Sequence, residues 1–301
     1  MLRVEFWHGI VYDVFMKLVI IGSKGMLGQY LLSVFDSSDM YNVFGLDKTE
    51  IDITQKENVI QVLFKIKPDM VINAAAYNNV DKCEEDDGYR IALAVNGDGV
   101  KNLSEACRLI DTTLVQYSTD YVFDGENKIG YIESDNPNPI SQYGESKLAG
   151  ERALLSANLP KYYLIRTSRL FGKCGVSEEV KKSFVDLMLD LSKKVSTING
   201  INEEISNPTY AQDLAQATKK LIEGKHAFGI YHITNSGGCT WHDLAKEIFK
   251  IKNIDVKVVP VTRDFFGGLA KRPKSSMLIN TKLSQLRTWQ EALGEYLGSS
   301  D

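Results

Sequence analysis

The stretch that decides the fold is residues 17–28, which read KLVIIGSKGMLG. Lys17–Gly22 is a short β-branched run that ends in glycine, and this pattern predicts a buried strand of a parallel sheet. Met26–Phe35 repeats apolar residues at helical spacing, so a helix is expected directly after the glycine-rich turn. The alternation continues, with strands predicted at Tyr41–Leu46, Met70–Ala74, Thr113–Tyr117, Tyr162–Arg166 and Ile230–Ile233, and helices at Val59–Ile66, Ala92–Leu109, Ser141–Ala157, Val180–Lys194 and Tyr210–Glu223. This order predicts an α/β fold, a doubly wound parallel sheet of the Rossmann type with right-handed crossovers.

Three glycines, Gly22, Gly25 and Gly28, form the pattern G-x-x-G-x-x-G between the first strand and the first helix. Glycine at these positions keeps the turn tight, lets the backbone approach a pyrophosphate and lets the helix pack on the strand. Backbone N–H groups at the N-terminus of that helix can then receive the phosphate charge. Because the glycines lie between a strand and a helix, they predict a dinucleotide-binding site.

The acid at the end of the second strand bears on the choice of coenzyme. Asp47 can hydrogen-bond an adenosine ribose 2′-OH and disfavours a 2′-phosphate. We therefore expect NADH to be modestly favoured. NADPH stays an alternative, because Lys48 follows Asp47 directly and its positive charge can offset the repulsion of a 2′-phosphate. Asp52 is interpreted either as a partner of the adenine amino group or as a solvated loop acid. The small residues 73–76 (NAAA) leave room for a coenzyme at the end of the third strand.

The residues that indicate chemistry are Tyr143 and Lys147 in the segment YGESK. Four residues apart on a helix, they lie on one face as neighbours. We expect the ammonium group, together with an oxidised nicotinamide, to lower the pKa of the tyrosine from its usual value near ~10. Tyr143 can then act as the general acid in reduction and as the base in the reverse reaction.

A hydroxyl at the end of the fourth strand can donate to the carbonyl oxygen that Tyr143 protonates. Thr119 is the candidate and Ser118 the alternative, and the simpler interpretation is that Thr119 caps a turn. Asn96 lies inside the preceding helix, where asparagine is locally unfavourable. We expect it to bind a water or a backbone carbonyl that relays protons through Lys147.

Composition excludes several classes of function. The chain has 301 residues and a formal net charge of −4, so it has no basic excess to meet a phosphate backbone and is not expected to bind nucleic acid. Four cysteines and four histidines are scattered without metal-ligand spacing, so no metal site is predicted. No apolar run approaches the ~20 residues of a membrane span. We expect a cytoplasmic protein with reduced cysteines.

The chain is predicted to have two parts and an extension. Residues 16–169 are expected to form an NAD(P)-binding Rossmann domain, to which about 208–235 also contribute. Residues 170–207 and 236–301 are expected to form a smaller C-terminal substrate-binding lobe. Residues 1–15 are apolar and aromatic but interrupted by charges, and they are interpreted as an N-terminal extension, with the working protein beginning at Met16.

The chain resembles a known family through several motifs. It is similar over Met16–Leu297 to the dTDP-4-dehydrorhamnose reductases of the extended short-chain dehydrogenase/reductase superfamily. The motifs are the glycine pattern, NAAAY (73–77), VDKCE (80–84), STDYVFDG (118–125), PISQYGESKLAGE (139–151), RTS (166–168), PTYAQDLA (208–215), GIYH (229–232) and KRPKSSML (271–278). The resemblance implies NAD(P)H-dependent reduction of dTDP-4-dehydro-L-rhamnose at C4, the last step to dTDP-L-rhamnose.

The resemblance also implies where ligands bind. It places Thr119 and Asp120 near the sugar nucleotide. Some members form magnesium-assisted homodimers, so Mg²⁺ and a homodimer are expected by resemblance alone. The implied coenzyme contacts are Gly25, Met26, Leu27, Asp47, Asp52, Ile53, Ala75, Ala76, Tyr77, Tyr143 and Lys147.

Three departures from the family pattern fall in the expected substrate lobe. Arg169 occupies the position after R-T-S where tryptophan is usual, and it is interpreted either as a partner of the substrate diphosphate or as a surface arginine. Ser183 replaces the usual asparagine, behind a charged insertion at 177–182. EEISN at 203–207 replaces the usual Asp-Gln-x-Gly.

Two other functions remain open at this level. The altered lobe would suit a non-catalytic regulatory subunit similar to the methionine adenosyltransferase β subunit. The chemistry would also suit a related sugar-nucleotide enzyme, either a 4-epimerase or a reductase of another 4-keto sugar.

Overall fold

The computed structural model describes residues 5–7, 10–12, 15–176 and 182–298. The strands are β1 (Glu5–Trp7), β2 (Ile10–Tyr12), β3 (Met16–Ile21), β4 (Tyr41–Leu46), β5 (Met70–Asn73), β6 (Thr113–Thr119), β7 (Tyr162–Thr167), β8 (Leu170–Phe171), β9 (Thr197–Ile201), β10 (Thr209–Tyr210), β11 (Gly229–His232) and β12 (Lys257–Val261). The α-helices are α1 (Met26–Asp36), α2 (Lys56–Ile66), α3 (Asp86–Ala92), α4 (Gly99–Leu109), α5 (Gln142–Ser156), α6 (Phe184–Ser192), α7 (Ala211–Glu223), α8 (Trp241–Ile251) and α9 (Trp289–Gly298).

The centre of the molecule is a six-stranded parallel sheet in the order β4-β3-β5-β6-β7-β11. The predicted doubly wound α/β fold is confirmed. The chain turns back between β3 and β5, which is the switch point where open α/β sheets bind their ligands. Four consecutive residues of β3 are buried, as expected for a strand covered by helices on both faces.

Two apolar layers cover the sheet. On one face α1 and α7 pack together through residues such as Leu31, Phe35 and Leu214. On the other face α2, α4 and α5 contribute residues such as Leu63 and Leu103. The candidate site lies at the carboxyl ends of the strands, where Gly22 and Ala75 follow β3 and β5 and Thr119 ends β6.

Most predicted elements lie within two residues of their observed bounds, and the largest difference is in the predicted helix Ala92–Leu109. That helix begins earlier, as α3, and passes through a π-helical turn at Leu93–Asp98 before it continues as α4. Such π turns occur often at functional sites, and this one carries Asn96. The predicted helix Val180–Lys194 begins later than expected because Ser183 caps it, its Oγ accepting from Asp186 N at 3.2 Å.

The C-terminal half adds a third apolar cluster, to which α6, β9, α8 and α9 contribute. The pairing of β9 with β12 and the helices α8 and α9 were not predicted. The boundaries proposed for the two parts of the chain stay a prediction. Of the predicted extension, residues 5–7 and 10–12 form the antiparallel pair β1–β2, while residues 1–4, 8–9 and 13–14 lie outside the described residues, as do 177–181 of the charged insertion.

Within the described part of the chain, no helix combines the length and the apolar character that crossing a bilayer requires.

Candidate active site

The glycine turn has no room for side chains. Gly22 has a φ of +75°, and a Cβ added to it would lie 2.7 Å from Ala75 N. A Cβ on Gly28 would lie 2.1 Å from Gly22 O. Gly25 is the N-cap of α1 and offers no side-chain cap. The first N–H groups of a helix have no intrahelical partners, so Met26 and Leu27 carry backbone donors of the kind that a pyrophosphate needs.

Two carboxylates stand beside this turn, at the end of β4. Asp47 Oδ1 accepts from Lys48 N at 2.8 Å, and Asp47 N donates to Glu50 Oε2 at 2.9 Å. That backbone hydrogen bond holds the pKa of Glu50 below its ordinary value. Glu50 was not singled out in the sequence, because the turn that brings it back to Asp47 had no distinctive pattern.

Asp52 and Ile53 lie in the loop between β4 and α2. Asp52 Oδ1 accepts from Thr54 N at 3.0 Å and from Thr54 Oγ1 at 2.7 Å, so this oxygen stabilises a turn. Ile53 is buried, and its carbonyl accepts from Asn102 Nδ2 at 2.9 Å. Their contacts with an adenine ring stay predictions.

Asn96 fixes the loop that follows β5. Its Oδ1 accepts from Tyr77 N and its Nδ2 donates to Tyr77 O, both at 2.9 Å. The same Nδ2 donates to Ser146 Oγ at 3.0 Å. Asn96 thus ties the Ala75–Tyr77 loop to α5. It does bind a backbone carbonyl, as expected, but that carbonyl belongs to Tyr77, and the relay through Lys147 stays a prediction.

Tyr143 is held in the first turn of α5. Ser141 caps this helix, its Oγ accepting from Gly144 N at 3.1 Å. A Cβ on Gly144 would lie 2.3 Å from Tyr121 O, so only glycine lets the helix approach so closely. The ring of Tyr121 then packs edge-to-face on that of Tyr143, with centroids 5.7 Å apart. These contacts fix the phenol beside the end of β6.

The pKa of Tyr143 in the chain by itself lies above its ordinary value. Burial raises it above its ordinary value, Thr119 opposes this through a side-chain hydrogen bond, and the charge of Asp120 adds to the rise. In the chain by itself, the charge of Lys147 therefore does not bring the pKa of this phenol below its ordinary value, and the lowering expected from Lys147 together with an oxidised nicotinamide stays a prediction. The physical reason is that desolvation of a phenolate outweighs the stabilisation that neighbouring groups supply.

Lys147 is buried one helical turn further along α5. Its Nζ donates to Tyr117 O at 2.8 Å. Desolvation lowers the pKa of Lys147 to about 8, and the charge of Glu151 opposes that change. The ammonium group is thus anchored to β6 and still mostly protonated at neutral pH.

The structure separates the two hydroxyl candidates on β6. Thr119 is a hydrogen-bond partner of Tyr143, and it also caps the short turn at 120–122 by accepting from Tyr121 N at 3.2 Å. Ser118 instead donates to Glu151 Oε1 at 2.5 Å. Neighbouring side chains on a strand point to opposite faces, so only Thr119 is brought to the phenol.

Asp120 lies buried beside Thr119. Its Oδ1 accepts from Thr119 Oγ1 at 3.1 Å, and its Oδ2 accepts from Ser276 Oγ at 2.5 Å. Burial raises the pKa of this carboxyl group, and Ser276 opposes the rise. Ser276 belongs to the motif KRPKSSML but was given no role in the sequence, because nothing local to it indicates that its chain segment crosses the site.

Arg169 adopts a left-handed backbone conformation, with a φ of +42°. Its Nη1 donates to Cys239 O and its Nη2 to Glu204 O, both at 2.8 Å. Its guanidinium group lies 4.0 Å from the ring centroid of Trp241. The nitrogens that were expected to bind a diphosphate therefore bind protein carbonyls, and the diphosphate contact stays a prediction.

Glu204, one of the departures from the family pattern, is buried beneath that arginine. It accepts from Arg263 Nε at 2.5 Å and from Arg263 Nη2 at 2.8 Å, while Trp241 Nε1 donates to its Oε2 at 2.9 Å. Two of the changed residues are thus joined: Arg169 donates to the backbone of Glu204, and Trp241 packs on Arg169 while its indole N–H donates to the Glu204 carboxylate.

The resemblance alone implied Mg²⁺. Residues 15–176 and 182–298 contain no group of three or more histidine, cysteine, aspartate or glutamate side chains that could hold a metal ion.

A glycine turn at the switch point and a Tyr-Lys pair on the helix after β6 define a nucleotide-binding fold of the short-chain dehydrogenase/reductase class. Comparisons with known proteins agree. A family model described as the RmlD substrate binding domain matches residues 16–301. The chain is 37% identical over 294 residues to the dTDP-4-dehydrorhamnose reductase of Aggregatibacter actinomycetemcomitans, covering 92% of this chain and 97% of that protein.

Two further comparisons refine this picture. A crystal structure of the dTDP-4-dehydrorhamnose reductase of Bacillus anthracis str. Ames in complex with NADP is 36% identical, with a TM-score of 0.89 over 95% of this chain and 100% of that one. The dTDP-4-keto-6-deoxy-D-glucose reductase of Streptomyces niveus is 33% identical, with 92% and 95% covered. The chain therefore belongs to the dTDP-4-dehydrorhamnose reductase family, and it is an oxidoreductase.

Proposed function

We propose that this protein reduces the C4 carbonyl of a dTDP-4-keto-6-deoxy sugar with NADH or NADPH, and that its substrate is dTDP-4-dehydro-L-rhamnose, which becomes dTDP-L-rhamnose. The observation that carries the proposal is the convergence of Thr119, Tyr143 and Lys147 at the end of β6, beside the glycine turn. The reductases of A. actinomycetemcomitans and B. anthracis, to which the chain is similar, support the choice of sugar.

The residues around the switch point fit a dinucleotide. The turn of Gly22, Gly25 and Gly28 would hold the pyrophosphate, and Asp47 would meet the adenosine ribose. When bound, the reduced nicotinamide supplies the hydride that the carbonyl carbon accepts. The relative from B. anthracis was solved with NADP, whereas the negative charges of Asp47 and Glu50 modestly favour NADH, so we propose that either coenzyme serves.

The proton comes from Tyr143. Its raised pKa keeps the phenol protonated at neutral pH, so the hydroxyl group can donate to the sugar oxygen as negative charge develops there. Thr119 would supply a second donor near the same oxygen when its hydroxyl turns from Asp120 Oδ1 to the substrate. A donor of this kind typically contributes ~2–4 kcal/mol to stabilising the transition state.

Lys147 supports the phenol after the proton has left. Its ammonium group is fixed on Tyr117 O and brings a positive charge to the helix face that carries Tyr143. A phenolate formed there is less costly than it would be beside a neutral side chain. In the reverse reaction the same charge would help Tyr143 to act as the base.

The test follows the absorbance of the reduced coenzymes, NADH and NADPH, in the presence of freshly generated dTDP-4-dehydro-L-rhamnose. We expect oxidation of at least one coenzyme and formation of dTDP-L-rhamnose. Turnover of a dTDP-4-keto-6-deoxy-D-glucose substrate alone would move the assignment to the sugar named for the S. niveus relative. Tightly retained NAD⁺ without net oxidation would indicate an epimerase. If neither coenzyme is oxidised with any of these substrates, the result would support a regulatory subunit.

The remaining expectations follow from this proposal. We propose a cytoplasmic location, because the substrate is a nucleotide sugar and no disulfide joins the cysteines of the described residues. A homodimer stays a prediction, and its test is the mass of the native protein by light scattering.

A further inference from the structure

A buried ion pair lies directly behind the candidate site and has no part in the chemistry proposed above. Glu151 of α5 and Arg166 of β7 each expose only 2% of their side chains. Arg166 donates from Nε to Glu151 Oε1 at 3.0 Å and from Nη2 to Oε2 at 2.7 Å. Desolvation makes a buried pair of this kind weak evidence for stability, so another reason for its presence is required.

The contacts of Glu151 supply that reason. Ser118 on β6 donates to Glu151 Oε1 at 2.5 Å, and Lys147, one turn earlier on α5, donates to the carbonyl of the preceding residue, Tyr117, at 2.8 Å. The next residue on the strand is Thr119, the partner of the phenol. Two side chains of α5 therefore hold two consecutive residues of β6, immediately before the residue that faces the substrate.

Arg166 on β7 restrains the carboxylate of Glu151 and is itself held by further contacts. Its guanidinium group lies 5.1 Å from the ring centroid of Phe123, and its Nη1 lies 3.5 Å from His232 Nε2 on β11. Both oxygens of Glu151 are thus bound, and the side chain has one arrangement that satisfies Ser118 and Arg166 together. A carboxylate so restrained is suited to fixing the position of a helix on a sheet.

We propose that Glu151 is a positioning residue: by holding Ser118 while Lys147 holds Tyr117, it sets the register of α5 on β6 that brings Thr119 and Tyr143 to the same carbonyl oxygen. The inference rests on the proposed function, because it assigns Glu151 an effect on that reaction.

Electrostatics gives the proposal a second readout. Of the charged groups near Lys147, Glu151 is the one whose charge raises the pKa of the lysine against desolvation. The facing strand β6 contributes the carbonyl of Tyr117 and the hydroxyls of Ser118 and Thr119, and β7 contributes Arg166, which is paired with Glu151. Loss of the negative charge at 151 therefore weakens the hold of Lys147 on its proton.

The first experiment replaces Ser118 by alanine, which removes one hydrogen bond and leaves the ion pair intact. The matched control is Ser104→Ala, since Ser104 is also fully buried, but donates to Val100 O within α4. We expect kcat to fall about tenfold in Ser118→Ala, with the coenzyme KM unchanged, because a small misplacement of reacting groups is costly. An equal kcat in both variants would overturn the proposal.

The second experiment measures kcat against pH for Glu151→Gln. We expect the limb of the kcat–pH profile that reports the ionisation of Lys147 to move to lower pH, because its ammonium group then holds the proton about tenfold more weakly. A loss of stability alone would lower the signal at every pH without moving this limb, and an unmoved limb would overturn the proposal. If this variant does not fold, Glu151→Leu combined with Arg166→Met removes both charges together, and a smaller shift of the limb in the same direction is expected, because the charge of Arg166 opposes that of the nearer Glu151.

Titration of Lys147 by NMR, with 13C-labelled lysine, separates this inference from the proposed function. If the wild type reduces no 4-keto sugar, the proposed function has failed, and the titration alone decides the electrostatic part of the inference. A lower pKa of Lys147 in Glu151→Gln than in the wild type supports it, and equal values overturn it.

Discussion

Gly28→Ala is expected to damage coenzyme binding without unfolding the chain. The new methyl carbon would lie 2.1 Å from Gly22 O, 2.7 Å from Ser23 Cα and 2.9 Å from Gly22 C. All three neighbours are backbone atoms, so no side chain can rotate away. A normal non-bonded contact requires α1 to move away from the turn by roughly 1 Å.

The size of the effect follows from that displacement. Overpacking of this kind usually costs about 1–3 kcal/mol of stability, which a domain of this size can tolerate. A 1 Å shift of groups that position a ligand can cost about 100-fold, so we expect the coenzyme Kd to rise by about 10- to 100-fold. Fluorescence titration with NADPH measures the Kd, and thermal unfolding measures the stability.

The matched control is Gly294→Ala, in the last helix. A Cβ at Gly294 meets no atom within 4 Å, so alanine there should stabilise the helix by about 0.5–1 kcal/mol and leave the coenzyme Kd unchanged. If Gly28→Ala binds the coenzyme as tightly as Gly294→Ala does, the assignment of the pyrophosphate to this turn is wrong.

Three further predictions concern charges. The pKa of Lys147 is about 8 in the folded chain, against 10.5 for an ordinary lysine. The unfolded chain therefore binds more protons between pH 8 and 10.5, and the free energy of unfolding should rise with pH across that window by at most about 3 kcal/mol. Urea titrations at several pH values measure this rise, and Lys147→Met should abolish it. Glu204→Ala should lower the free energy of unfolding by about 3–5 kcal/mol because it leaves Arg263 half-buried without its carboxylate, whereas the exposed Lys250→Ala should change it by less than about 0.5 kcal/mol. Asp47→Ala should raise kcat/KM for NADPH relative to NADH by about tenfold, since it removes a charge that repels a 2′-phosphate; an unchanged ratio would remove Asp47 from the coenzyme site.

The parts of the fold that the sequence predicted are those with local patterns. The apolar runs of β3 and β5 and the glycines before α1 each carry their own signal, and the order of strands and helices then fixes a doubly wound sheet. The short elements of the C-terminal half carry weaker signals. One of them, α8, was missed although it carries a local signal, because Thr240 and Asp243 form a capping box at its start.

The candidate site divides in the same way. Tyr143 and Lys147 were predicted together because their spacing on one helix is a local property. The ion pair of Glu151 with Arg166 joins two elements, and no local pattern reports such a contact. The raised pKa of Tyr143 in the chain by itself was not predicted for a related reason: desolvation depends on everything packed around the phenol, whereas the sequence shows only the charge four residues away.

The measurement that tests the central claim most directly compares Tyr143→Phe with the wild type for both turnover and coenzyme binding. The matched control is Tyr163→Phe, which loses a hydroxyl that donates to His226 O at 2.8 Å; Tyr163 lies near the start of β7, whereas Thr119 pairs with Thr167 at the end of that strand. If the phenol of Tyr143 delivers the proton, its removal should lower kcat by about 100- to 10,000-fold and leave the coenzyme Kd within about threefold, while Tyr163→Phe keeps both. Turnover by Tyr143→Phe at the level of Tyr163→Phe would contradict the account.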